Sequence, residues 1–343
     1  MSTVVSTARR SGLISLVAAG ILWGTGGLLG ALLGRATGLA PIAVAACRLG
    51  AGGLLLIVML IVTRRPMPRN RLAWRRIGAI AALAGWFQMC YFGAVAASSV
   101  SLATLITIGM SPVFVAVLEQ LTGRRALDRR RVVTIGLALS GLTLLVGGPA
   151  TGSAAGLLLG AALAAAAAAG FATMTLISAN PIDGLEPMTT TALGFTGGAV
   201  LLAPLAASTG LTFVVTPTSI ALLLALGLFP TAAAYSLYFH GLPAAGPGTT
   251  AAMALLEPLT GTILAAVILG DRLRPLALVG AALLVAALLL AARASSDIEV
   301  LRNPTPLEPQ ATQADWPFHD RERRNDRKIT RAGNGPRTAL DQT

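Results

Sequence analysis

The stretch "LLEPLTGTILAAVILGDRL", residues 255–273, places a carboxylate and a proline next to each other inside an apolar segment. Glu257 follows ten uncharged residues, Pro247 to Leu256, and precedes thirteen more that run to Gly270. An ionisable side chain at the centre of a bilayer costs about 3 kcal/mol on insertion scales, so a residue of this kind usually has a function. Glu257 is therefore the first candidate functional residue, provided that its segment crosses a membrane.

The composition is that of a membrane protein. Hydrophobic residues make up 55% of the 343 positions, charged residues only 12%, and the mean hydropathy is +0.74. Soluble domains contain about 25% charged residues. Uncharged stretches of about 17 to 25 residues predict an all-α polytopic membrane protein with ten transmembrane helices. The predicted spans are 13–33, 41–63, 77–97, 100–121, 132–149, 155–178, 187–208, 218–240, 247–269 and 275–292.

Arginines are concentrated in two of the predicted loops. Six lie between spans 2 and 3, and five lie between spans 4 and 5. Loops rich in Lys and Arg stay in the cytoplasm, so both loops, and the N-terminus with Arg9 and Arg10, are expected to face inward. Ten spans then place both termini in the cytoplasm. The expected location is the inner (plasma) membrane. Short basic loops between apolar spans are topology signals, so no nucleic-acid partner is expected.

A gap-free shift of 146 residues superposes the two halves of the chain. It pairs Pro41 with Pro187 and Pro112 with Pro258, so spans 2 to 4 align with spans 7 to 9. Each half then contains five spans. Because five is odd, the second half must cross the membrane in the opposite sense, which predicts two inverted five-helix repeats. In many secondary transporters with this architecture the substrate site lies near the bilayer midplane.

The repeat divides the chain into four regions. Residues 1–12 are expected to be a cytoplasmic N-terminus, 13–149 the first repeat and 155–292 the second repeat. The remainder, 293–343, contains several prolines and charges of both signs. Such a segment cannot bury enough apolar surface to fold alone, so a disordered cytoplasmic tail is expected.

The repeat makes Ser111–Pro112 the counterpart of Glu257–Pro258. Proline lacks a backbone donor and disturbs the carbonyl four residues earlier. Within hydrocarbon that carbonyl must face protein or a water-filled cavity. Pro112 and Pro258 are therefore predicted to break their helices beside a central cavity, with Ser111 and Glu257 in its wall.

The quoted stretch resembles the end of the second repeat in EamA-type members of the drug/metabolite transporter superfamily. These typically read Leu-Glu-Pro, an apolar run, and then Gly-Glu-Arg/Lys-Leu, where this chain has Asp271. The segments "SPVFVAVLEQLTGRRAL" (111–127) and "ILWGTGG" (21–27) resemble parts of the first repeat. The resemblance covers residues 13–292 and implies a secondary transporter that moves small organic metabolites, most often outward. An exporter of amino acids or related compounds, without cofactor or metal, is the expectation.

Several other side chains within the spans are candidates for lining the cavity. Arg48 lies about 6 Å along the helix from the centre of span 2, where it either pairs with Glu257 or recognises a substrate carboxylate. Glu257 itself either holds a substrate ammonium or carries a coupling proton. The candidate substrate-binding residues are Glu257, Arg48, Gln88, Tyr91, Tyr235, Tyr238, Trp23 and Ser111.

Two further features have structural interpretations. The glycines at 26, 30 and 34 are spaced to let span 1 approach a neighbouring helix closely. Glu119 falls at a predicted cytoplasmic helix end, where it is expected to be an interfacial anchor. The lipid bilayer and a small-molecule substrate are the expected partners, and a homodimer is left open.

Two other classes of function remain open. A passive channel normally needs rings of repeated carbonyl or charged groups, whereas only one carboxylate, that of Glu257, lies near the centre of a span. A membrane-embedded enzyme needs a cluster of polar catalytic groups. The chain has only two histidines, no HExxH motif and no phosphate-binding glycine loop.

The arginine-rich loops generate a test of orientation. Single cysteines introduced as Arg71→Cys and Arg129→Cys, in a background lacking Cys47 and Cys90, are expected to react with an impermeant maleimide only after the inner membrane is breached. Ser208→Cys is expected to react in intact spheroplasts, because alternation places it on the opposite side. Labelling of Arg71→Cys from outside would reverse the orientation.

Overall fold

The chain is all-helical in the computed structural model, which describes residues 2–146, 153–269 and 274–302. No strand occurs in these ranges. One compact unit ends at Ile298. The segment 270–273, which contains Asp271, and the part of the expected tail at 303–343 lie outside the described residues. The helices are α1 (Ser2–Thr37), α2 (Pro41–Val62), α3 (Arg71–Ala97), α4 (Val100–Leu121), α5 (Arg129–Val146), α6 (Ala154–Ser178), α7 (Pro187–Ser208), α8 (Pro217–Gly227), α9 (Ala234–Ala245), α10 (Pro247–Met253), α11 (Leu256–Leu269) and α12 (Pro275–Arg302), with a π-helical segment (Leu228–Ala233) between α8 and α9.

Nine helices in the described part of the chain are long and apolar enough to cross a membrane. Two of them are composite, because α8, the π-helical segment and α9 run together, and α10 is followed closely by α11. The predicted span 132–149 corresponds to α5. Its 18 described residues begin with three arginines, which leaves fewer apolar residues than the hydrocarbon core requires. The protein is a polytopic membrane protein.

Helix boundaries are set by proline and by capping side chains. Pro41 and Pro187 stand in the first turn of α2 and α7, where the missing N–H would have no helical partner and the fixed φ suits the helix. Asn70 caps α3 by accepting a hydrogen bond from the Leu72 amide at 2.8 Å. Each of these residues favours the start of a helix, and each can be recognised from the local sequence.

Helices in the two halves begin at matching positions. The shift of 146 residues carries the whole of α2 onto α7, both in length and in bounds. It also carries the first residue of α3 onto that of α8, and the first residue of α5 onto that of α12. One pair of helices with the same bounds, and two further pairs with the same first residue, are thus related by a single offset.

The contacts between helices follow the same plan. Helices α3 and α4 of the first half pack on α6 of the second half. Conversely, α9 and α11 of the second half pack on α1 of the first half, and α2 and α7 pack on each other. Exchanging each helix for its counterpart in the other half reproduces this set of pairs. The two halves therefore interlock, and the space between α1, α2, α3, α4 and α11 lies at their junction.

Small residues bring the interlocked helices close together. A Cβ on Gly53 of α2 would lie 2.7 Å from the Thr196 amide nitrogen of α7, and one on Gly52 would lie 2.8 Å from the Gly227 carbonyl oxygen of α8. Large apolar side chains such as Ile61 and Val267 instead project outward, 70% and 78% exposed. Close packing of small residues inside and apolar side chains outside is the arrangement expected in lipid.

Gly53→Ala is expected to lower the thermal midpoint of the purified protein, because overpacking a tight helix contact costs about 1–3 kcal/mol. Gly78→Ala in α3 is the matched control, since no heavy atom lies within 4 Å of a Cβ there and alanine favours the helix by about 1 kcal/mol. Size-exclusion chromatography after heating measures both. Equal midpoints for the two variants would contradict the proposed role of Gly53.

Candidate functional site

A cavity of about 520 Å³ lies at the junction of the two halves. Its deeper part contains Trp23 and Glu257, and its lining continues to Pro41 and Val100 at the ends of α2 and α4, where Val100 is exposed. The cavity is therefore open at the end of the bundle opposite the arginine-rich loops. Ligand pockets commonly have volumes of about 300–1,000 Å³, so this one is large enough for a small organic molecule.

Glu257 reaches the cavity from the start of α11. Ala254 and Leu255 interrupt the helix before it, and the Glu257 amide donates to the Ala254 carbonyl at 3.0 Å rather than to a carbonyl four residues back. A carboxylate in the first turn is favoured by the helix dipole. On α1, a Cβ at Gly24 would lie 2.9 Å from the Glu257 carbonyl oxygen, so glycine there lets α1 pack against this turn.

Arg48 lines the same cavity from the middle of α2. Both side chains lie in the described part of the chain, and no direct ion pair joins Arg48 to Glu257 there. The Arg48 Nε is buried without a hydrogen-bond partner, and so is the Trp23 Nε1. The cavity thus presents a carboxyl group, a guanidinium group and an indole N–H that the protein does not pair with one another.

Aromatic side chains form much of the remaining wall. The rings of Trp23 and Tyr235 meet edge to face, with centroids 4.8 Å apart. Phe87 and Tyr91 lie parallel with centroids 6.0 Å apart, and the Tyr91 hydroxyl is hydrogen-bonded to Thr104 at 2.8 Å. These contacts fix the orientation of the rings.

Six of the eight candidate substrate-binding residues line the cavity, and two do not. The six are Trp23, Arg48, Gln88, Tyr91, Tyr235 and Glu257. Tyr238 is instead packed against Phe171, and its hydroxyl lies 2.5 Å from that of Thr175. Ser111 is buried and donates to the Thr107 carbonyl at 2.6 Å. In both residues the polar atom is hydrogen-bonded within the helix packing.

The two prolines have different surroundings. The break expected at Pro112 is absent: α4 continues through it, since a single missing donor need not interrupt the bonds on either side. In the second half the interruption is present, but it lies at Ala254–Leu255, just before Pro258. Pro258 therefore belongs to the first turn of α11, where proline is well tolerated.

Some features of the site were not predicted. The glycines of α1 were expected to permit close helix packing, yet Gly26, Gly30 and Gly34 line the cavity, and so does Gly27, which has no heavy atom within 4 Å of its Cβ position. Phe87 also lines it. The π-helical segment precedes Tyr235, and π-bulges often occur at functional sites; Pro230 was its only signal in the sequence.

At the opposite end of the bundle, three arginines in or next to the arginine-rich loops contact residues of the second half. The Arg65 guanidinium is 3.0 Å from the Glu186 carboxylate, and Arg124 donates to the Leu176 carbonyl at 3.1 Å. Arg76 donates to the Asn180 carbonyl at 2.5 Å. Each contact joins a residue of the first half to one of the second half.

Two comparisons identify the family, and a third supports the fold. The profile of the EamA-like transporter family matches residues 10–147 and, a second time, residues 158–293. A protein of Bacillus subtilis (strain 168), named "Uncharacterized transporter YwfM", is 31% identical over 281 residues, which cover 81% of this chain and 92% of that protein. A crystal structure that is 18% identical superposes with a TM-score of 0.70 and covers 86% of this chain and 99% of that chain, a likeness of fold alone. The chain is therefore a multi-pass membrane transporter, and it belongs to the EamA-like transporter family.

Proposed function

We propose that the protein is an inner-membrane exporter of small zwitterionic metabolites, amino acids or close relatives, that works by alternating access. The observation that carries the proposal is the pair of unlike charges, Arg48 and Glu257, that face one cavity without pairing. Leaving two charges unpaired in a membrane interior is costly, and a ligand with complementary charges removes that cost.

The architecture proposed is ten helices in two inverted repeats. Three observations support it: the shared helix bounds at an offset of 146 residues, the exchanged pattern of helix contacts, and the two matches of one family profile. Counting α5 as the tenth span gives five helices in each half. Two similar halves with an odd number of spans must have opposite orientations, which makes their junction the expected site.

The substrate class follows from the three polar groups. Arg48 can bind a carboxylate with two parallel hydrogen bonds, and Glu257 can accept from an ammonium group. Trp23 contributes a neutral donor, and the aromatic wall suits an apolar side chain. An α-amino acid carries all the complementary groups within a few ångströms, whereas a sugar lacks both charges.

The direction of transport rests on the orientation of the cavity and on the family resemblance. With the arginine-rich loops in the cytoplasm and both termini there as well, the open end of the cavity faces outward. The contacts of Arg65, Arg76 and Arg124 then close the cytoplasmic end, and they must break to admit a substrate from inside. A passive channel would need a continuous path, so a cavity closed at one end favours a carrier.

Glu257→Gln keeps the volume of the side chain and removes its charge. We expect normal abundance with counterflow of the transported amino acid in proteoliposomes reduced at least tenfold, equivalent to about 1.4 kcal/mol. Comparative profiling of the medium from cells lacking and overproducing the protein first selects that amino acid. Ser111→Ala, at the pseudo-symmetric position outside the cavity, is the control and should transport normally. Wild-type rates and pH dependence in Glu257→Gln would refute the assignment.

Arg48→Gln tests the carboxylate half of the proposal. Counterflow of the amino acid should fall about tenfold or more, because a charge-assisted bidentate contact is lost. Transport of the corresponding decarboxylated amine should change less than about twofold, since it never used that contact. Equal losses for both compounds would indicate a structural role for Arg48.

A further inference from the structure

A second, smaller cavity of about 40 Å³ lies near the arginine-rich end, apart from the central one. Side chains of α4, α5 and α12 surround it, together with Gly248 at the beginning of α10. Three guanidinium-bearing residues of the α4–α5 region contribute to its lining: Arg125, Arg130 and Arg131. None of these residues takes part in the proposed substrate site.

Arg131 is nine-tenths buried and only partly satisfied. Its Nη2 is paired with the carboxylate of Glu119, which is itself 5% exposed. The expectation that Glu119 is an interfacial anchor is therefore wrong, since the side chain is a buried ion-pair partner. The Arg131 Nη1 is buried and has no hydrogen-bond partner. A buried charged donor without an acceptor is costly, so this atom indicates a ligand.

The balance of charge around the cavity is positive. Besides Glu119, the nearby carboxylate is that of Asp128, whose Oδ2 lies 3.8 Å from Arg125 and whose Oδ1 accepts from the Arg131 amide at 2.8 Å. Burial, and next the Arg131 guanidinium, lower the pKa of Arg125. The arginines therefore repel one another and are not fully neutralised by the two carboxylates. An anion would relieve that repulsion.

We propose that this cavity binds one phosphate group, with Arg131 and Arg125 as its ligands. A water molecule needs about 10–15 Å³ of such volume, so a cavity of about 40 Å³ has room for phosphoryl oxygens but not for a larger organic anion. Val132, adjacent to Arg131, and Leu289, two residues before Ala291, are about half exposed on the apolar outer surface. Basic pockets between helices on the cytoplasmic side bind anionic headgroups, so a phospholipid can supply the phosphate from the bilayer.

Binding there connects the two halves of the protein. Gly248 packs so closely on Arg131 that a Cβ would lie 2.6 Å from the Nη2. The guanidinium thus joins α5 of the first half to the start of α10 in the second half. A bound phosphate holds this junction together and stabilises the closed arginine-rich end.

The test measures the thermal midpoint of the delipidated protein with phosphatidylglycerol, phosphatidylcholine or inorganic phosphate added. Phosphatidylglycerol, whose headgroup is an anion, should raise the wild-type midpoint by about 3 °C or more. Phosphatidylcholine should raise it less, because its choline cation neutralises the phosphate charge and is repelled by the arginines. Arg125→Gln should lose at least half of that shift. Arg129→Gln removes a neighbouring arginine outside the cavity and should keep the whole shift. Asp128→Asn removes a carboxylate that competes with phosphate for the arginines, so this variant should keep or increase the shift.

The comparison of added lipid with added inorganic phosphate distinguishes the source of the phosphate. A shift with phosphatidylglycerol alone identifies a lipid headgroup, and an equal shift with inorganic phosphate identifies the free anion. Native mass spectrometry of lipid retained after detergent extraction provides a second measurement for Arg125→Gln. Equal effects of the two lipids together with no phosphate effect, or equal shifts in Arg125→Gln and Arg129→Gln, would overturn the proposal. The experiment does not measure transport, so its failure would leave the proposed function untouched.

Discussion

A charged group inside a bilayer needs polar surroundings, and the structure meets that need at the junction of its two halves. Glu257 stands where α11 begins again after the interruption at Ala254–Leu255. Its surroundings depend on α1 packing closely enough for Gly24 to contact the same turn. Arg48 enters from the other half of the chain. The two charges share a cavity because the halves interlock, so the site and the fold depend on the same helix contacts.

Much of this arrangement could be predicted from the sequence, because membrane spans have a strong signal. The lengths of the apolar segments indicated the helices, and prolines indicated where several of them begin. A single sequence offset related the two halves. Six cavity-lining residues were identifiable because a polar or aromatic side chain is unusual within an apolar span. The count of ten spans depends on α5, whose arginines shorten its apolar length.

The remaining details depend on packing, which a linear pattern does not encode. Tyr235 and Tyr238 lie on one helix three residues apart, yet the first lines the cavity and the second bonds to Thr175 within the core. Whether Pro112 interrupts its helix depends on its neighbours. Glu119 looked like a surface residue because the sequence does not show that Arg131 folds back over it.

The glycine face of α1 has a consequence for how specificity can evolve. At Gly27, Gly30 and Gly34 the wall consists of backbone rather than side chains, and the nearest atoms leave space for added groups. A side chain added at any of these positions reduces the cavity volume available to a substrate and leaves the charged groups in place. The room in the cavity and its two charged groups are thus encoded on different helices, so a lineage can change one without changing the other.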